Sequence, residues 1–594
     1  MDHAGRLARA GSGRHPQDLG GGQVRVYRLR DPCSRHGSRT HRRHPCFRLE
    51  QHGTVRHRRL NFRVAKLGVV ARVSTPLVCK FGPNRGAVAS RNRDGFAAIS
   101  QVSPKVDPRC GDRHMRRRKS PAGDPTCDDA DPGAQMSDVP EGNLLIRGAH
   151  VLTQDPHVAG GMVDVRVEAG KIVAVGPNLP DANARVIDAR GTVLMPGFVD
   201  THRHLWSSIF RFMAIDWGYN DYYEIVQIQY SPRLTPSDLY TANLLGALSA
   251  IDAGVTTLRD ESHVQNSPDH TAELVRALRD SGMRAVFAYG WPSIDLLSWQ
   301  FESTKPHPSD MRRAREELLR DDSALVTMNA MLRGPELGGG PDLAVRDIEF
   351  ARELNIRSSM HVGHLKEPGI EWLDDRGALG PDLLFLHCPA TTDHEFELVR
   401  DSGGHVQATP WIESVMGGVR PPSTARMLNA GLKPGLGIDT ETGAASDMFN
   451  VMRAALAADS LMHKLGQTDF EKLPWLTSSD VLEAATISGA AAAGLSDRTG
   501  SVTPGKDADL ILIRMDDINL FPVTDPTKAI VAGGHPGNVD TVMVAGRILK
   551  WEGKLLHPAW RSVQQDAQVI LSRLVEQSPP VPAGYVPGVD KWDQ

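Results

Sequence analysis

Strand-like and helix-like segments alternate along about 300 residues of this chain, from 195 to 495. One unit begins with the strand-like run Val255-Thr-Thr-Leu258, continues with a helical pattern from Ser267-Pro268 to Arg279, and returns to a strand at Ala285-Val-Phe-Ala288. Such βαβ units form parallel sheets covered by helices. A segment of this length suits a (β/α)₈ TIM-type barrel with insertions, in which chemistry lies where strands end. We therefore predict an α/β fold built on such a barrel.

Two strand-rich segments flank this region. Val163-Asp-Val-Arg-Val167 and Ile172-Val-Ala-Val175 alternate in polarity and are joined by Ala169-Gly-Lys171, which predicts a hairpin turn. A matching texture returns at Ala508-Asp-Leu-Ile-Leu-Ile513 and Val542-Met-Val-Ala-Gly-Arg-Ile-Leu549. We predict that the two segments form one small β-sandwich. The expected order begins with an N-terminal extension (1–135), the first half of the sandwich (143–195) and the barrel (196–495). The second half of the sandwich (496–556) and a C-terminal tail or helix (557–594) follow.

Residues 1–135 differ in composition from the rest. Arginine far outnumbers acidic residues, and runs such as His41-Arg-Arg-His-Pro45 and Arg116-Arg-Arg-Lys119 show no apolar periodicity. A segment without an apolar face cannot offset the entropy lost on folding. We predict that it is disordered or is translated upstream sequence, with the natural start near Met136. A basic nucleic-acid tail and a targeting peptide are the alternatives, but the cysteine and histidine content fits neither well.

Composition narrows the class of partner. The net charge of −3 and the 23% of charged residues give no global field that would recruit nucleic acid or an anionic membrane. No run of about eighteen apolar residues is present to span a bilayer. Five of the six cysteines fall in the first 127 residues, and Cys388 stands alone after them, which argues against a disulfide framework and secretion. We expect a cytoplasmic protein with a small-molecule substrate and no nucleic-acid or membrane partner.

A pair of histidines ends the first strand of the alternating region. In Met195-Pro-Gly-Phe-Val-Asp-Thr-His-Arg-His204, an apolar strand leads to His202 and His204. The period of two in a strand places both imidazoles on one face, where they can chelate one divalent ion. Because a lone H-x-H pair is common by chance, further ligands are needed to support a metal site.

Three further polar residues each close a strand-like run. His361, His387 and Asp439 follow the runs Arg-Ser-Ser-Met, Leu-Leu-Phe-Leu and Pro-Gly-Leu-Gly-Ile. Their separations correspond to whole βα units of roughly 30 residues. We predict that the polar groups follow barrel strands 1, 5, 6 and 8 and meet at one end of the barrel. The alternative, a set of unrelated core histidines, would make this joint spacing a coincidence.

Six motifs between 143 and 556 carry a resemblance to a known family, and the last two are specific in combination: Gly197-Phe-Val-Asp-Thr-His-Arg-His204, Gly254-Val-Thr-Thr257, Leu386-His-Cys388, Gly435-Leu-Gly-Ile-Asp-Thr440, the helix Glu483-Ala-Ala-Thr-Ile-Ser-Gly-Ala490 and Gly500-Ser-Val-Thr-Pro-Gly-Lys-Asp-Ala-Asp-Leu510. With them the segment resembles the amidohydrolase superfamily of metal-dependent hydrolases, in the branch of cytosine deaminase and the triazine hydrolases such as atrazine chlorohydrolase. The resemblance implies a distorted barrel flanked by a β-sandwich made from both chain ends. It does not cover residues 1–135.

The resemblance also implies a metal and its ligands. One catalytic divalent ion, Zn²⁺ in first place or Fe²⁺, would be bound by four residues: His202, His204, His361 and Asp439. Such an ion lowers the pKa of its water toward 7, and Asp439 can accept the proton. By the same resemblance, His387 would hydrogen-bond the attacking oxygen. No lysine ends the strand near Val326-Thr-Met-Asn329, where relatives with a bridged metal pair carry a carboxylated one, so a single ion is expected.

One position departs from the family pattern. Deaminases of this branch usually have His-x-x-Glu after strand 5, where the glutamate protonates a ring nitrogen and then the leaving amine, whereas this chain has His361-Val-Gly-His364. A histidine can donate a proton near neutral pH. His364 is therefore either the acid of a modified mechanism or a loop histidine beside the metal ligands. Glu367 and Glu413 are candidate substitutes for the missing carboxylate.

An aromatic-rich insertion follows the first barrel strand. It places seven aromatic residues within eighteen: Trp206, Phe210, Phe212, Trp217, Tyr219, Tyr222 and Tyr223. Flat heterocycles stack on aromatic faces, which favours a lid over a ring substrate, although such clusters more often serve packing. Trp206 and Trp217 are the candidate substrate contacts here, together with Glu336 near strand 4 and Glu413 after strand 7. Both glutamates could equally be solvated loop charges.

The predicted activity is metal-dependent hydrolysis of a non-peptide C–N bond in a small, nitrogen-containing cyclic substrate, by an aminohydrolase or a cyclic amidase. Hydrolytic dehalogenation of a heteroaromatic ring is the nearest alternative, because the same hydroxide attacks the same electron-poor carbon. A non-catalytic ligand-binding relative is the alternative of another class, and the retention of every ligand position argues against it. The family resemblance further suggests a homo-oligomer.

Overall fold

The computed structural model describes residues 139–578, except 302, 337–338, 366, 417–420 and 467–471. The prediction for residues 1–135 lies outside the described residues.

The strands are β1 Leu144–Arg147, β2 His150–Val151, β3 Gly161–Met162, β4 Asp164–Glu168, β5 Lys171–Gly176, β6 Arg185–Asp188, β7 Thr192–Pro196, β8 Phe198–Arg203, β9 Val255–Ser262, β10 Arg284–Tyr289, β11 Val326–Leu332, β12 Ser358–Val362, β13 Leu383–His387, β14 His405–Ala408, β15 Gly435–Leu436, β16 Leu510–Arg514, β17 Val539–Val544, β18 Arg547–Trp551 and β19 Lys554–Leu555.

The α-helices are α1 Tyr219–Tyr222, α2 Pro236–Asp252, α3 Pro268–Ser281, α4 Leu296–Gln300, α5 Asp310–Arg313, α6 Pro341–Glu353, α7 Gly369–Asp374, α8 Asp393–Asp401, α9 Pro410–Val415, α10 Thr424–Asn429, α11 Met448–Lys464, α12 Ser478–Ala484, α13 Ile487–Ala492, α14 Pro526–Gly533 and α15 Trp560–Glu576. Short 3₁₀ or π-helical segments are Leu205–Phe210, Tyr223–Tyr230, Ser231–Arg233, Ala314–Leu318 and Pro536–Asn538. Among the described residues, every helix is too short or too polar to cross a membrane.

Strands β8 to β15 form one parallel eight-stranded sheet in chain order. A bridge between Arg203 and Asp439 joins the first strand to the segment after the last. There the Asp439 amide donates to the His202 carbonyl at 2.8 Å, and the His204 amide donates to the Asp439 carbonyl at 2.7 Å. The predicted (β/α)₈ barrel is confirmed. Its strands 1 to 8 are β8 to β15, and their carboxyl ends share one mouth.

Two further sheets pack beside the barrel, in the orders β5-β4-β1-β6 and β19-β18-β17-β16-β7-β2-β3. Strand β7 pairs antiparallel with β16, so that Leu194 lies opposite Leu512 although more than 300 residues separate them. Apolar side chains of both sheets share one core, among them Leu144, Val167 and Met543. The β-sandwich built from both ends of the barrel region is therefore confirmed.

The predicted hairpin turn lies between β4 and β5, at Ala169 and Gly170 with φ of 47° and 79°. A Cβ atom built on Gly170 would lie 2.5 Å from the carbonyl oxygen of Ala545. Both the positive φ and this close backbone approach require glycine at position 170. The turn thus joins two sequence-distant regions of the sandwich.

The segment 483–490, predicted as one helix, is two, because α12 ends at Ala484 and α13 begins at Ile487. Between them the Thr486 hydroxyl donates to the Leu482 carbonyl at 2.6 Å. The Val199 amide of β8 donates to the carbonyl of Ala485 at 2.8 Å. In a continuous helix the Ala485 carbonyl would accept a hydrogen bond within the helix, whereas here it accepts one from the first barrel strand. The break therefore anchors both helices to the strand that carries the histidine pair.

Candidate metal centre

Side chains from the ends of four barrel strands meet at the mouth. His202 Nε2 and His204 Nε2 each lie 3.4 Å from Asp439 Oδ1, and His387 Nε2 lies 3.7 Å from Asp439 Oδ2. The ligand atoms of His202, His204 and His361 lie within 4.8 Å of one another, as do those of His202, His387 and Asp439. The structure thus brings together the four ligands expected from the sequence and His387, after strands 1, 5, 6 and 8.

The donor set fits a divalent ion. Both ring nitrogens of His202 are buried without a hydrogen bond from the described residues. His204 Nδ1 lies 2.6 Å from the carbonyl oxygen of Glu261, and because a carbonyl can only accept, the proton is on Nδ1. The Nε2 lone pair of His204 therefore faces a carboxylate oxygen, an arrangement that repels unless a cation lies between. Three imidazoles and a carboxylate suit zinc or ferrous iron.

Protonation states at the cluster favour metal binding. Burial, with His202 as the next cause, lowers the pKa of His204 to about 4. The pKa of His361 is lowered well below its ordinary value for the same two reasons. Burial alone would raise the pKa of Asp439, but the contact with His202 and the surrounding histidines lower it. Neutral imidazoles and an ionised carboxylate are the forms that ligate a metal.

Two of these residues have a left-handed backbone conformation, with φ of 64° at His387 and 70° at Asp439, and Cys388 follows with 56°. Residues with side chains rarely adopt this region. The Ser423 hydroxyl holds the Cys388 carbonyl at 2.7 Å, and the bonds between Asp439 and β8 described above hold the other strained residue. Backbone strain of this kind clusters at functional sites and persists only where the surrounding structure enforces it.

Glu413 lies against His387. Its carboxylate is 3.3 Å from His387 Nδ1, and the Thr409 hydroxyl is 2.8 Å from the same nitrogen. Burial alone would lower the pKa of His387, but the hydrogen bond with Glu413 and the charge of Asp439 outweigh it, and the pKa is raised. Glu413, expected from the sequence to contact substrate, thus has a histidine of the cluster as its partner in the structure.

His364 lies beside the cluster at the mouth, with ring centroids 5.3 Å from His387 and 6.1 Å from His361. Its side chain is exposed, as is that of Glu367 on the same loop. The walls of the mouth desolvate the imidazole and, together with His387, lower the pKa of His364. The role of His364 as the acid of a modified mechanism, expected from the sequence, stays a prediction.

Glu336 holds the loop that carries His364. Its carboxylate accepts from the amides of Gly363 at 2.5 Å and Leu365 at 3.0 Å. Burial raises the pKa of Glu336 to about 7, although these hydrogen bonds oppose the shift. Glu336, expected from the sequence as a substrate contact, is thus bonded to backbone.

The two candidate tryptophans lie in packing positions. Trp206 is completely buried, with its ring centroid 5.3 Å from that of His263. Trp217 is partly buried against the main core. Tyr222, from the same insertion, is buried. Burial, with the charge of Asp439 as the next cause, raises the pKa of its hydroxyl.

His263 is a residue of the site that the sequence analysis missed. Its ring centroid is 4.7 Å from that of His204, and burial, with His204 as the next cause, lowers its pKa well below the ordinary value. It directly follows β9, whose end reads Arg259-Asp-Glu-Ser-His263 after an apolar start. The signal that could have found it is the one used for the other strands, a polar group that closes a barrel strand.

The amidohydrolase family model matches residues 193–549. The 5′-deoxyadenosine deaminase of Methanosarcina mazei is 30% identical over 452 residues, which cover 73% of this chain and 98% of that protein. The 5-methylthioadenosine/S-adenosylhomocysteine deaminase of Acetivibrio thermocellus is 29% identical over 432 residues, 68% of this chain and 94% of that protein.

Two solved structures show the same fold. An adenosine deaminase from Xanthomonas campestris with bound zinc gives a TM-score of 0.62 at 20% identity, and covers 74% of this chain and 100% of that one. An atrazine chlorohydrolase from Arthrobacter aurescens, complexed with zinc, gives 0.64 at 19% identity, with 72% and 100% covered.

Proposed function

This chain belongs to the amidohydrolase family, and on that premise we propose that it releases ammonia from an amino-substituted nitrogen heterocycle. Membership makes it a metal-dependent hydrolase that cleaves a non-peptide C–N bond in a small nitrogen-containing substrate. The convergence of Asp439 with four histidines at the barrel mouth supports the proposal. The two relatives found by sequence, from Methanosarcina mazei and Acetivibrio thermocellus, are deaminases of adenosine-type compounds, which favours deamination over the opening of a cyclic amide.

We assign a single zinc ion to the site, with four ligands: His202, His204, His361 and Asp439. When bound there, zinc supplies a Lewis acid that acidifies a water molecule. The tautomer of His204, fixed by the Glu261 carbonyl, supports its role as an Nε2 ligand. Both solved relatives described above contain zinc.

Asp439 is the proposed proton acceptor. Its Oδ1 faces His202 and His204, while Oδ2 faces His387, so the carboxylate can serve the cluster with one oxygen and take a proton on the other. His387 Nε2 hydrogen-bonds the oxygen that attacks the ring. The exposed His364 lies at the mouth, where it contacts a ring nitrogen of the substrate. The water oxygen joins the ring carbon, and the C–N bond to the amino group breaks. One water proton leaves with the amino group as ammonia, and the other ends on the ring nitrogen of the oxo product.

The test is product analysis with the zinc-loaded chain. The panel contains 5′-deoxyadenosine and adenosine first, then aminopyrimidines, aminotriazines, a hydantoin and a chlorotriazine. We expect ammonia release from at least one amino-substituted ring, with the matching oxo product by mass spectrometry. Release of halide alone, or ring opening of the hydantoin alone, would replace deamination by the corresponding hydrolysis.

A further inference from the structure

The ring of His387 is held on its far side by two buried groups of the segment after barrel strand 7. Thr409 Oγ lies 2.8 Å and Glu413 Oε1 lies 3.3 Å from His387 Nδ1. The same carboxylate oxygen accepts from the Thr409 amide at 2.7 Å and from the Thr409 hydroxyl at 3.2 Å. His387, Thr409 and Glu413 are all nine-tenths or more buried. Water therefore does not compete for these contacts.

The hydrogen bonds of this group have only one consistent direction. An ionised carboxylate can only accept, so the Thr409 hydroxyl donates to Glu413. The oxygen of that hydroxyl is then free to accept, and the donor that faces it is Nδ1–H of His387. With the proton on Nδ1, a neutral His387 has its lone pair on Nε2, which is the nitrogen that faces Asp439 Oδ2.

We propose that Thr409 and Glu413 are positioning residues that fix the tautomer and the ring orientation of His387. The proposal rests on the function assigned above, because it concerns the histidine that hydrogen-bonds the attacking oxygen. It also explains how the left-handed backbone at His387 persists, since the clamp holds the side chain of a residue whose backbone is strained. Glu413 acts on the reaction through His387 and not by touching substrate.

Helix capping is the competing explanation for Glu413. Helix α9 begins at Pro410, and the carboxylate of Glu413 reaches back to the Thr409 amide, as capping glutamates do. The chain contains a second cap of this type, at the start of α8. There Glu395 accepts from the Thr392 amide at 2.9 Å and the Thr392 hydroxyl at 3.2 Å.

Glu395 provides the matched control because its other oxygen accepts from the Ile370 amide at 3.0 Å, a backbone group. A capping glutamate can be replaced by glutamine, which keeps an acceptor for the amide. Glu413→Gln and Glu395→Gln are therefore the same change at two similar caps, one of which contacts a histidine of the cluster.

With the zinc-loaded full chain and the best substrate of the panel, we expect Glu413→Gln to lower kcat about 10- to 100-fold, the range seen when a group that orients a metal-site side chain is lost. We expect the KM of Glu413→Gln to stay within about threefold of the parent value. The kcat of Glu395→Gln should be close to that of the parent. Thr409→Val should lower kcat in the same way, and Thr409→Ser should restore it. Equal kcat for Glu413→Gln, Glu395→Gln and the parent would reduce the contact to a helix cap and overturn the proposal.

A second measurement does not depend on activity, so it separates this proposal from the proposed reaction. In the zinc-loaded chain labelled with ¹⁵N-histidine, the His387 signals, assigned by their loss in His387→Gln, should show a protonated Nδ1 and an unprotonated Nε2. Glu413→Gln or Thr409→Val should shift that pattern. A parent protein with Nε2 protonated, whether or not Nδ1 is protonated too, would refute the proposed tautomer even if ammonia is released. The expected tautomer without ammonia release would refute only the reaction.

Discussion

His202 and Arg203 are neighbours in the chain but belong to two different buried clusters. His202 faces the barrel mouth, where its ring nitrogens have no hydrogen-bond partner among the described residues. Arg203, also fully buried, donates to Asp200 at 2.7 Å and to Glu441 at 3.1 Å, and the second oxygen of Glu441 pairs with Arg211. Two consecutive residues of one strand thus face opposite sides. His202 enters the cluster of candidate metal ligands, and Arg203 enters a network of buried ion pairs.

This difference in hydrogen bonding predicts which cluster serves function and which serves stability. Buried charges that satisfy one another belong to the fold itself, and removal of one leaves the others unpaired. Buried nitrogens and a carboxylate that face one another without hydrogen bonds need a group from outside the chain. Variants of the mouth cluster should therefore lose metal and activity, and variants of the ion-pair network should lose stability.

The largest effect is expected for Asp439→Ala. Its loss removes a metal ligand and the proton acceptor, so zinc content should fall and kcat/KM should fall about 10³-fold or more, because the ion supplies several kcal/mol of transition-state stabilisation. The unfolding midpoint of the metal-free protein should change little. Metal analysis, kinetics and thermal unfolding measure the three quantities.

His394→Ala serves as the control for that change, since His394 is an exposed histidine paired with Glu397 on α8. It should retain both zinc and activity. Full zinc occupancy in Asp439→Ala would contradict the division between the two clusters.

The second effect is expected for Arg203→Met, which leaves Asp200 buried without its cation and Glu441 paired with Arg211 alone. The loss of one partner of such a network costs about 3–5 kcal/mol in the free energy of unfolding. Arg203→Lys should lose less, because it keeps the charge but not the planar fork. Urea unfolding of the zinc-free chain measures both.

The matched control is Arg190→Met, which removes the arginine of an exposed Arg–Asp pair in the sandwich and should change the free energy of unfolding little, because water screens the pair. Equal costs for Arg190→Met and Arg203→Met would show that burial does not distinguish the two pairs. Zinc loss at unchanged stability in Arg203→Met would assign the network to the metal site instead.

The sequence predicted which strand ends meet better than it predicted what each side chain touches. The period of two in a strand and the order of a parallel barrel determine that His202, His361 and Asp439 share one mouth. Hydrogen-bond partners depend on packing between distant segments, as for Arg203 and Glu441, 238 positions apart. The sequence therefore predicted Glu413 as a residue of the pocket, and its contact with His387 is seen only in the structure.

The helix break at Thr486 lay beyond the sequence for the same reason. A strand nearly 300 residues earlier takes the carbonyl of Ala485, while the local sequence favours a continuous helix. His263 differs, because its position directly after β9 is a signal that the sequence itself contains.

Glu336 shares features with both clusters, and replacing it should give the smallest of the three effects. Its carboxylate has partners, but they are the amides of Gly363 and Leu365 and not a cation. Burial raises its pKa to about 7 in the folded chain, against about 4.3 when unfolded. Between these values the folded chain holds a proton that the unfolded chain has released, so this group stabilises the fold at low pH and loses that contribution as pH rises through 7.

Glu336→Gln removes the titration and keeps the side chain neutral at every pH. The free energy of unfolding of Glu336→Gln relative to the parent should therefore increase from pH 5 to pH 8, by about 1–2 kcal/mol after allowance for partial solvent screening of the site. Urea unfolding of the zinc-free proteins at both pH values measures the difference. The opposite sign, with the glutamine variant relatively weaker at pH 8, would mean that the two amides outweigh burial, and Glu336 would then join Arg203 among the charges that the fold satisfies internally.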